Sequence, residues 1–403
     1  MIDINNDVPV LRQISVHAVM EYLLHSGPAS RAAMAKATKL SKQTMSEVIL
    51  TLEERGWVRP CGLSSGKVGR AAMNYEISDD LFYVLGMDVG ATTIRLSLVN
   101  LQGIEIAHYE EANDNTGGDN LVNKLCRLKD EMLMRCAIKP HKLHSVSMAI
   151  PGVVNQKTGT LAFAPNLNKM EGFELLSAMQ RSFNCEVLIE NDVNAAVIGE
   201  YWRGRGQDTQ SLVFVSLGTG IGMGLLLDGI LLRGALGAAG EVSYLPLGAD
   251  AYAPENLRQG TLESVIGAAG ISRRYHFAGG PADTSVREIL EHYVNKQPAA
   301  ILAIEETARI VALLMLSISS MFDPEKIIIG GNIGSRPELI ERIRYYLATC
   351  SPHPVALECS ALGAQATLTG AVAISLNKLH NLLFGLEDLP KKIQLPKHSQ
   401  PGL

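Results

Sequence analysis

The chain has little of the chemistry that stabilises secreted or membrane proteins. It has six cysteines in 403 residues and no C-x-x-C pair, so the sequence indicates neither a disulfide framework nor a cysteine zinc site. Its longest apolar run, Ile310 to Met321, is far shorter than the roughly 20 residues of a bilayer span. Charged residues interrupt the N-terminal segment, so no secretory signal is expected. We therefore expect a cytoplasmic protein without a membrane partner.

Charged residues are also scarce, at 19% against 47% apolar residues, and the net charge is −5. This length and composition predict more than one domain with a buried core. The charges are unevenly placed along the chain. The segment from Ser30 to Arg70 contains eight lysines and arginines but only three glutamates. A basic segment on an acidic chain is typical of a small DNA-binding module attached to a larger domain. A solvated helical face would give the same local charge.

The basic segment also has the pattern of a winged helix-turn-helix. Apolar residues at helical spacing predict a first helix from Val10 to His25 with a broad buried face that includes Ile14. Ser30 is expected to cap a short second helix, and Ser41 a longer third one. A strand, a glycine and serine tip and a returning strand over residues 56–77 predict the wing.

The first turn of the third helix carries short or donor-rich side chains, where such a helix presents its residues to base edges in the major groove. From this helix and the wing we predict the following DNA-binding residues: Ser41, Lys42, Gln43, Thr44, Ser46, Lys67 and Arg70. Some helix-turn-helix modules bind proteins instead, but the basic charge and the wing favour DNA. We assign residues 1–80 to this DNA-binding domain.

After residue 80 the pattern changes to strands that end in glycine turns. A strand is expected from Leu212 to Leu217. One strand, glycine turn, strand unit starts at Tyr83 and a similar one recurs at Val213 to Gly234, about 128 positions further on, which suggests an internal duplication. Two like halves create a cleft between them. Glycine turns let the backbone approach an anion closely, although plain tight turns have the same composition. The candidate phosphate-turn residues are Gly90, Thr92, Gly218, Thr219 and Gly220.

Asp192 is the acidic residue that the pattern singles out. It follows an apolar strand (Val187 to Ile189) and precedes a helix that we expect to open at Asn194. Ligands of open α/β sheets bind at the carboxyl ends of the strands. We therefore place Asp192 at the centre of the predicted cleft, although an aspartate at this position is also a common helix cap.

Together these motifs resemble the ROK family (repressors, open reading frames, kinases) over about residues 10–380. The motifs that carry the resemblance are Asp88-x-Gly-Ala-Thr, Pro151-Gly, Pro165-Asn-Leu, Glu190-Asn-Asp, Leu217-Gly-Thr-Gly-Ile-Gly, Gly240-Glu-Val and Gly330-Gly. The resemblance implies an α/β fold: an actin-like (ribonuclease-H-like) two-lobed ROK domain over residues 81–385, preceded by the all-α/winged helix-turn-helix domain. We expect residues 386–403 to be a disordered tail.

The resemblance also implies a sugar site. In the family's kinases, the aspartate that matches Asp192 is the base that deprotonates the sugar hydroxyl. The positions that match sugar-binding residues of the family are Asn166, Asn191, Asp192, Glu241 and Glu263. Carboxylates and amides suit the paired hydrogen bonds that vicinal hydroxyls offer. A capping or core-satisfying role is the alternative for each of them.

Two family sites are altered in this chain. The family's phosphate turn has a second glycine and a lysine where this chain has Ala91 and Thr93, so ATP binding is in doubt. Its zinc ligands, a histidine and cysteines, are replaced within Ser243 to Thr261 by residues that are not soft ligands. We expect no zinc or other metal, no cofactor and no catalytic residue, with Asp192 as a vestigial base. Tyr244, at the histidine position, implies an altered sugar preference.

Three hypotheses follow. The first is a DNA-binding transcriptional repressor whose ROK domain senses a sugar or sugar derivative without phosphorylating it. The second is an ATP-dependent, hexokinase-type sugar kinase with a DNA-binding extension, since Asp192 and the glycine turn persist. The third is a regulator controlled by a protein partner. For the first, the expected partners are a double-stranded DNA operator, a small sugar effector and further copies of the chain in a dimer or tetramer.

Overall fold

The computed structural model describes residues 10–63, 72–155, 158–162, 170 and 172–384. None of the helices in these residues combines the length and the hydrophobicity that crossing a membrane requires. The chain divides into two compact units. The first contains Met1–Met148, Leu167–Ile189 and Ala371–Leu403, and the second contains Ala149–Asn166 and Glu190–Gly370. The domain boundary near residue 80 stays a prediction, and the predicted tail from residue 386 lies outside the described residues.

The N-terminal residues form three helices and a three-stranded antiparallel sheet in the order β1-β3-β2. Along the chain these elements are α1 (Val10–Ser26), β1 (Ala29–Ser30), α2 (Arg31–Thr38), α3 (Lys42–Glu54), β2 (Val58–Leu63) and β3 (Met73–Ile77). Both predicted caps are confirmed. Ser30 accepts a hydrogen bond from the Ala33 N–H (3.3 Å), and Ser41 accepts one from the Thr44 N–H (3.1 Å), which satisfies donors that each helix start would leave unpaired.

The apolar face of α3 is buried as its spacing predicts, through Met45, Val48, Ile49 and Leu52. On α1 the prediction for Ile14 is wrong, because its side chain is 41% exposed. β1 was not predicted either. It exists only because Ala29 and Ser30 pair with β3, a contact across more than 40 positions that local pattern does not reveal.

The next elements build a five-stranded sheet in the order β10-β7-β4-β5-β6. In chain order they are β4 (Tyr83–Val89), β5 (Thr93–Asn100), β6 (Glu105–Ala112), α4 (Asp119–Arg135), β7 (Leu143–Ile150), β8 (Val153–Val154), β9 (Leu161–Ala162), α5 (Leu175–Phe183) and β10 (Glu186–Asn191). β8 and β9 form a separate two-stranded ribbon.

A second five-stranded sheet has the order β13-β12-β11-β14-β15. The remaining elements are α6 (Asp192–Arg203), β11 (Leu212–Leu217), β12 (Ile221–Leu227), β13 (Ile230–Leu231), α7 (Pro254–Gln259), α8 (Thr261–Ile266), α9 (Ala268–Phe277), α10 (Val286–Val294), α11 (Pro298–Phe322), β14 (Lys326–Gly330), α12 (Pro337–Cys350), β15 (Leu357–Cys359) and α13 (Ala366–Phe384). β11 pairs antiparallel with β12 and parallel with β14.

The two sheets repeat one arrangement. When the second sheet is followed from β15 to β13, its strands have the same order as those of the first sheet from β10 to β6. Each sheet contains a strand, glycine turn, strand hairpin (β4 with β5, and β11 with β12), and each hairpin pairs antiparallel with the strand after it. This repetition supports the predicted duplication, and the predicted α/β fold class is confirmed.

The central strand of the second sheet is buried on both faces. Val213, Val215 and Leu217 belong to one apolar core with residues of α11, whereas Leu212 and Phe214 belong to another that includes Val197 of α6. Successive side chains of a strand point to opposite faces, and a strand covered on both faces has a continuous apolar sequence. The apolar run from Leu212 to Val215 is therefore a consequence of helices on both sides of β11, and the polar Ser216 near its end is only partly buried.

Candidate functional site

Asp192 lies where β10 gives way to α6. α6 begins at Asp192, so the prediction that it opens at Asn194 is wrong by two residues. The reason is the cap, because the Asn191 side-chain oxygen accepts hydrogen bonds from the N–H groups of Val193 (2.9 Å) and Asn194 (3.0 Å). With Asn191 as the cap, the Asp192 carboxylate stands in the first helical turn, where the helix dipole favours a negative charge.

The Asn191 side chain has a second partner. Its amide nitrogen donates a hydrogen bond to the backbone oxygen of Gly152 (3.1 Å). Both ends of the amide are therefore engaged within the protein. The sugar-binding role of Asn191 stays a prediction, and the capping alternative accounts for its contacts.

Replacing Asn191 with alanine is expected to lower the free energy of unfolding by about 1 to 2 kcal/mol, the cost of losing a helix cap. The Asn194 N–H and the oxygen of Gly152 would each lose a partner, whereas the Val193 N–H would keep its bond to the Asp192 carboxylate (2.9 Å). Urea denaturation measures the change. Asn191→Ser keeps a capping oxygen without adding a charge beside Glu190 and Asp192, and is expected to retain most of the stability. Equal losses in the two variants would contradict the capping role.

Three of the predicted sugar-binding side chains form an acidic cluster, which consists of Asp192, Glu241 and Glu263. Burial raises the pKa of Asp192 to about 6. Burial also raises the pKa of Glu241, and the charges of Asp192 and Glu263 raise it further. The pKa of Glu263 is raised by burial as well. Carboxylates that repel one another and are partly removed from water are stabilised by hydrogen-bond donors, and the hydroxyl groups of a sugar are such donors.

Glu263 connects this acidic cluster to the glycine turn between β11 and β12. Its carboxylate accepts a hydrogen bond from the Ile221 N–H (3.1 Å). A Cβ atom added to Gly220 would lie 2.5 Å from the same carboxylate oxygen. Only glycine therefore allows Glu263 to approach the turn so closely.

The other glycines of this stretch serve packing. A Cβ atom on Gly222 would lie 2.8 Å from a methyl carbon of Val193, and one on Gly224 would lie 2.7 Å from the Val193 carbonyl oxygen. α6 therefore packs directly on the backbone of β12. Gly222 and Gly224 lie outside the candidate phosphate-turn residues, and close packing of α6 accounts for both of them.

The predicted phosphate turns are hairpin turns, one in each unit. In the first, the Gly90 N–H donates to the Thr93 oxygen (2.9 Å), and the Gly90 oxygen accepts from the Asn113 amide (2.7 Å). Thr92 lies in the same turn, and its oxygen accepts a hydrogen bond from the Asn113 N–H (2.8 Å). In the second, the Gly218 N–H donates to the Gly220 oxygen (2.9 Å), while Thr219 accepts from Ala268 through its backbone oxygen (3.3 Å). Phosphate binding at these turns stays a prediction.

Beside the first turn, the Asp88 carboxylate is paired with an arginine. Arg95 contacts it through one guanidinium nitrogen (3.2 Å) and contacts Glu110 through another (3.0 Å). Asp88 is only 7% exposed. The positive charge that balances this buried carboxylate therefore comes from the chain itself.

The predicted DNA-binding residues at the start of α3 divide into two groups. Three of them bond within the helix: Ser41 caps it, Thr44 also contacts the Ser41 hydroxyl (2.9 Å), and Ser46 donates to the Lys42 oxygen (3.0 Å). Lys42 and Gln43 are exposed. Lys67 and Arg70, and also Asn166 of the predicted sugar site, lie outside the described residues.

The exposed face of α3 contains two more residues that the sequence interpretation omitted. Gln43 donates a hydrogen bond to Glu47 (3.1 Å), and Leu50 is 55% exposed. Glu47 and Leu50 follow Gln43 by four and seven positions, so helical spacing alone could have placed them on the same face of α3. A helix face that reads base edges uses polar and apolar contacts, so these two residues extend the candidate surface.

Comparison with known proteins decides the family. The model of the ROK family matches residues 84–378. The chain belongs to the ROK family. A ROK family transcriptional regulator of known structure, a homolog of the E. coli MLC protein, covers 93% of this chain and 98% of its own, with a TM-score of 0.75 and 23% identity. At that identity the likeness shows the ROK fold alone.

Two curated relatives of this ROK protein differ in how much of it they cover. The xylose repressor of Caldicellulosiruptor bescii is 27% identical over 92% of this chain and 97% of its own length. The beta-glucoside kinase of Listeria innocua is also 27% identical, over 72% of this chain and 96% of its own length. Because 83 residues precede the family match, a 92% match must extend well into the N-terminal segment. The repressor therefore shares part of the segment that contains the helix-turn-helix elements.

The absence of zinc at the segment from Ser243 to Thr261 stays a prediction. Among the residues that the structure describes, no group of three histidine, cysteine or acidic side chains is arranged to hold a metal ion. Hydrogen bonds hold this segment. The buried Asn256 amide donates to the Asp250 oxygen (2.7 Å), and the Gly260 N–H donates to the Asn256 oxygen (2.9 Å). Tyr244 lies in the same segment, and its pKa is raised by burial and by the nearby acidic cluster.

A cavity of about 470 Å³ adjoins the second glycine turn of the ROK domain. Its lining includes Thr219, Ser272, Ser285, Asn332 and Arg336. The Asn332 side-chain oxygen would lie 2.8 Å from a Cβ atom on Gly218, so the turn borders this space closely. Open space beside the turn is what the kinase hypothesis requires, and it bears on the alternative function below.

Proposed function

We propose that this chain is a cytoplasmic transcriptional repressor that binds operator DNA through its winged helix-turn-helix. Its ROK domain senses a sugar or sugar derivative at the acidic cluster and leaves it unphosphorylated. In this proposal Asp192, Glu241 and Glu263 accept hydrogen bonds from sugar hydroxyls. The protein acts as a homo-oligomer, because a palindromic operator is read by two recognition helices related by twofold symmetry.

The observation that carries the proposal is the extent of the match to the xylose repressor, which includes part of the N-terminal segment. That segment has two capped helices at helix-turn-helix spacing, and Lys42 and Gln43 are exposed on the second of them. An exposed first turn on the second helix of such a pair is the part that enters the major groove. Two observations therefore support DNA recognition: the similarity to a repressor and the exposed first turn of α3.

The residues around the first glycine turn support sensing without phosphorylation. The turn contains Ala91 and Thr93 where a phosphate cradle needs an open backbone and a cation. The neighbouring Asp88 carboxylate is already balanced by Arg95.

The proposal is tested by operator binding in the presence of sugars. Duplexes selected from a random pool supply the operator, and fluorescence anisotropy measures its affinity with and without each member of a panel of neutral sugars, amino sugars and sugar phosphates. At least one sugar is expected to change the affinity by about tenfold, the size of a typical allosteric coupling. Equal operator affinity with every sugar, or failure to select any duplex, would contradict the proposal.

The alternative is an ATP-dependent sugar kinase, and two observations favour it. The cavity of about 470 Å³ beside the second glycine turn offers space for a phosphate group. Burial raises the pKa of Asp192 to about 6, close to the operating pH at which a general base is most effective. Release of ADP in the presence of each sugar tests this function. Turnover above about 1 per second, lost in Asp192→Asn, would establish the kinase and refute sensing without phosphorylation.

A further inference from the structure

One buried ion pair lies directly beside the acidic cluster and is not part of it. Glu190, the residue before the Asn191 cap, is 3% exposed. One of its carboxylate oxygens accepts a hydrogen bond from Arg233 Nε (2.8 Å) and lies 2.7 Å from a second guanidinium nitrogen, Nη2. The two residues are 43 positions apart, so the pair joins the start of α6 to the chain that follows β13.

The other oxygen of Glu190 holds the start of α6. It accepts hydrogen bonds from the Asn191 N–H (3.0 Å) and from the Asn194 side-chain amide (3.1 Å). One carboxylate therefore links the helix turn that contains Asp192 to Arg233. Buried charges need this degree of satisfaction, because removal of one partner leaves the other desolvated and unpaired.

Arg233 begins the loop that contains Glu241, here called the 233–241 loop. The loop closes on itself through a hydrogen bond from the Ala239 N–H to the Arg233 oxygen (3.0 Å). It is then fixed to β12 by a bond from the Met223 N–H to the Gly240 oxygen (3.2 Å). Gly240 has a φ of +95°, and a Cβ atom there would clash with the Met223 oxygen. Backbone contacts therefore fix the loop near Gly240, and the Arg233 side chain joins its first residue to Glu190.

We infer that Arg233 is a positioning residue for effector binding: through its ion pair with Glu190 it holds the 233–241 loop so that Glu241 faces Asp192. The inference rests on the proposed function, since it assigns a role within the same acidic cluster. Arg233 acts here through Glu190. Loss of the pair would let Glu241 withdraw from Asp192 and would remove one acceptor from the sugar site.

A double-mutant cycle tests this role, with effector affinity as the readout. Glu190→Gln keeps an oxygen for the Asn191 and Asn194 donors and removes the charge that Arg233 contacts. Arg233→Ala and Glu190→Gln are each expected to weaken binding of the sugar selected by the operator assay by about tenfold, and the double variant no further. Arg233→Lys is expected to recover part of the affinity. Additive losses would show that Arg233 contacts the sugar itself, and would overturn the inference.

Hydrogen exchange gives a readout that needs no ligand. In Arg233→Ala, the amides of Ala239 and Met223 are expected to exchange at least about tenfold faster, because local opening of the loop becomes easier. The matched control is Arg309→Ala, which removes an exposed arginine paired at 2.7 Å with Glu306 on α11. Unchanged exchange in Arg233→Ala would overturn the inference even if a sugar binds. Should the wild-type protein bind no sugar, the proposed function fails while the exchange result still decides the role of Arg233 in the loop.

If Arg233→Ala does not fold because Glu190 is left unpaired, the variant Arg233→Ala with Glu190→Gln replaces it. That pair of changes removes both charges together, which avoids an uncompensated buried carboxylate. The amides of Ala239 and Met223 in this double variant are expected to exchange at least about tenfold faster than in the wild-type protein. Protection equal to the wild-type protein would show that the loop is held without the ion pair, and would contradict the inference.

Discussion

Replacing Asp192 with asparagine is expected to weaken effector binding by about 100-fold, the cost of losing one hydrogen bond to a charged acceptor and leaving its donor unpaired. The substitution keeps the size of the side chain, removes its charge and replaces one acceptor oxygen by an NH₂ donor. Isothermal titration with the sugar selected by the operator assay measures the loss. Glu255→Gln is the matched control, because it removes an exposed carboxylate from α7. Equal affinity of Asp192→Asn and the wild-type protein would show that the acidic cluster does not bind the effector.

The same substitution is expected to stabilise the protein without ligand. The pKa of Asp192 is about 6 in the folded protein against an ordinary value of 3.8, so the folded state binds the proton more tightly than the unfolded state does. This contribution to stability is complete below about pH 4 and is lost as the pH rises through 6. Asparagine cannot ionise. Asp192→Asn is therefore expected to gain about 3 kcal/mol of unfolding free energy at neutral pH and almost nothing near pH 4.

Urea denaturation at several pH values checks this dependence. A gain in the unfolding free energy of Asp192→Asn that grows between pH 4 and about pH 7 would show that the ionised Asp192 carboxylate destabilises the fold. Residues of ligand-binding sites often reduce stability in this way. A loss of stability at neutral pH would contradict the raised pKa. If Asp192→Asn binds the effector more weakly but is more stable than the wild-type protein, Asp192 serves ligand binding and not the stability of the fold.

Local pattern was sufficient where one element determines its own limits. The serine caps of α2 and α3 and the bounds of β11 follow from residues within the element itself. The start of α6 shows the limit of this reasoning. Asn191 and Asp192 are both good capping residues, and the contact between the Asn191 amide and Gly152 lies 39 positions away. Sequence alone could not choose between them.

The candidate site was predictable by residue type but not by arrangement. The motifs named Asp192, Glu241 and Glu263, and the structure brings their charges together. The ion pair between Glu190 and Arg233 was missed, because nothing in the local sequence of either residue indicates the other. Contacts across dozens of positions depend on how the loop after β13 returns to α6, and that path is set by tertiary packing and not by propensity.

Replacing Lys42 and Gln43 together with alanine is expected to lower operator affinity by about 100-fold. A base contact from one side chain contributes about 1 to 3 kcal/mol and a phosphate contact adds to it. Both residues are exposed on the first turn of α3, so the free energy of unfolding is expected to change by less than about 1 kcal/mol. Anisotropy with the selected duplex measures the affinity, and urea denaturation measures the stability.

The two single variants separate the contributions. Lys42→Ala is expected to weaken binding to all duplexes alike. The slope of the logarithm of affinity against the logarithm of salt concentration is expected to become shallower by about one, as loss of a phosphate contact does. Gln43→Ala is expected to relax selectivity at one base pair, because an amide that pairs with a base edge carries sequence information. Lys139→Ala, an exposed lysine beyond the helix-turn-helix, makes the same change in net charge. If it weakened operator binding as much as Lys42→Ala, the basic charge of the chain as a whole, and not the first turn of α3, would account for the affinity.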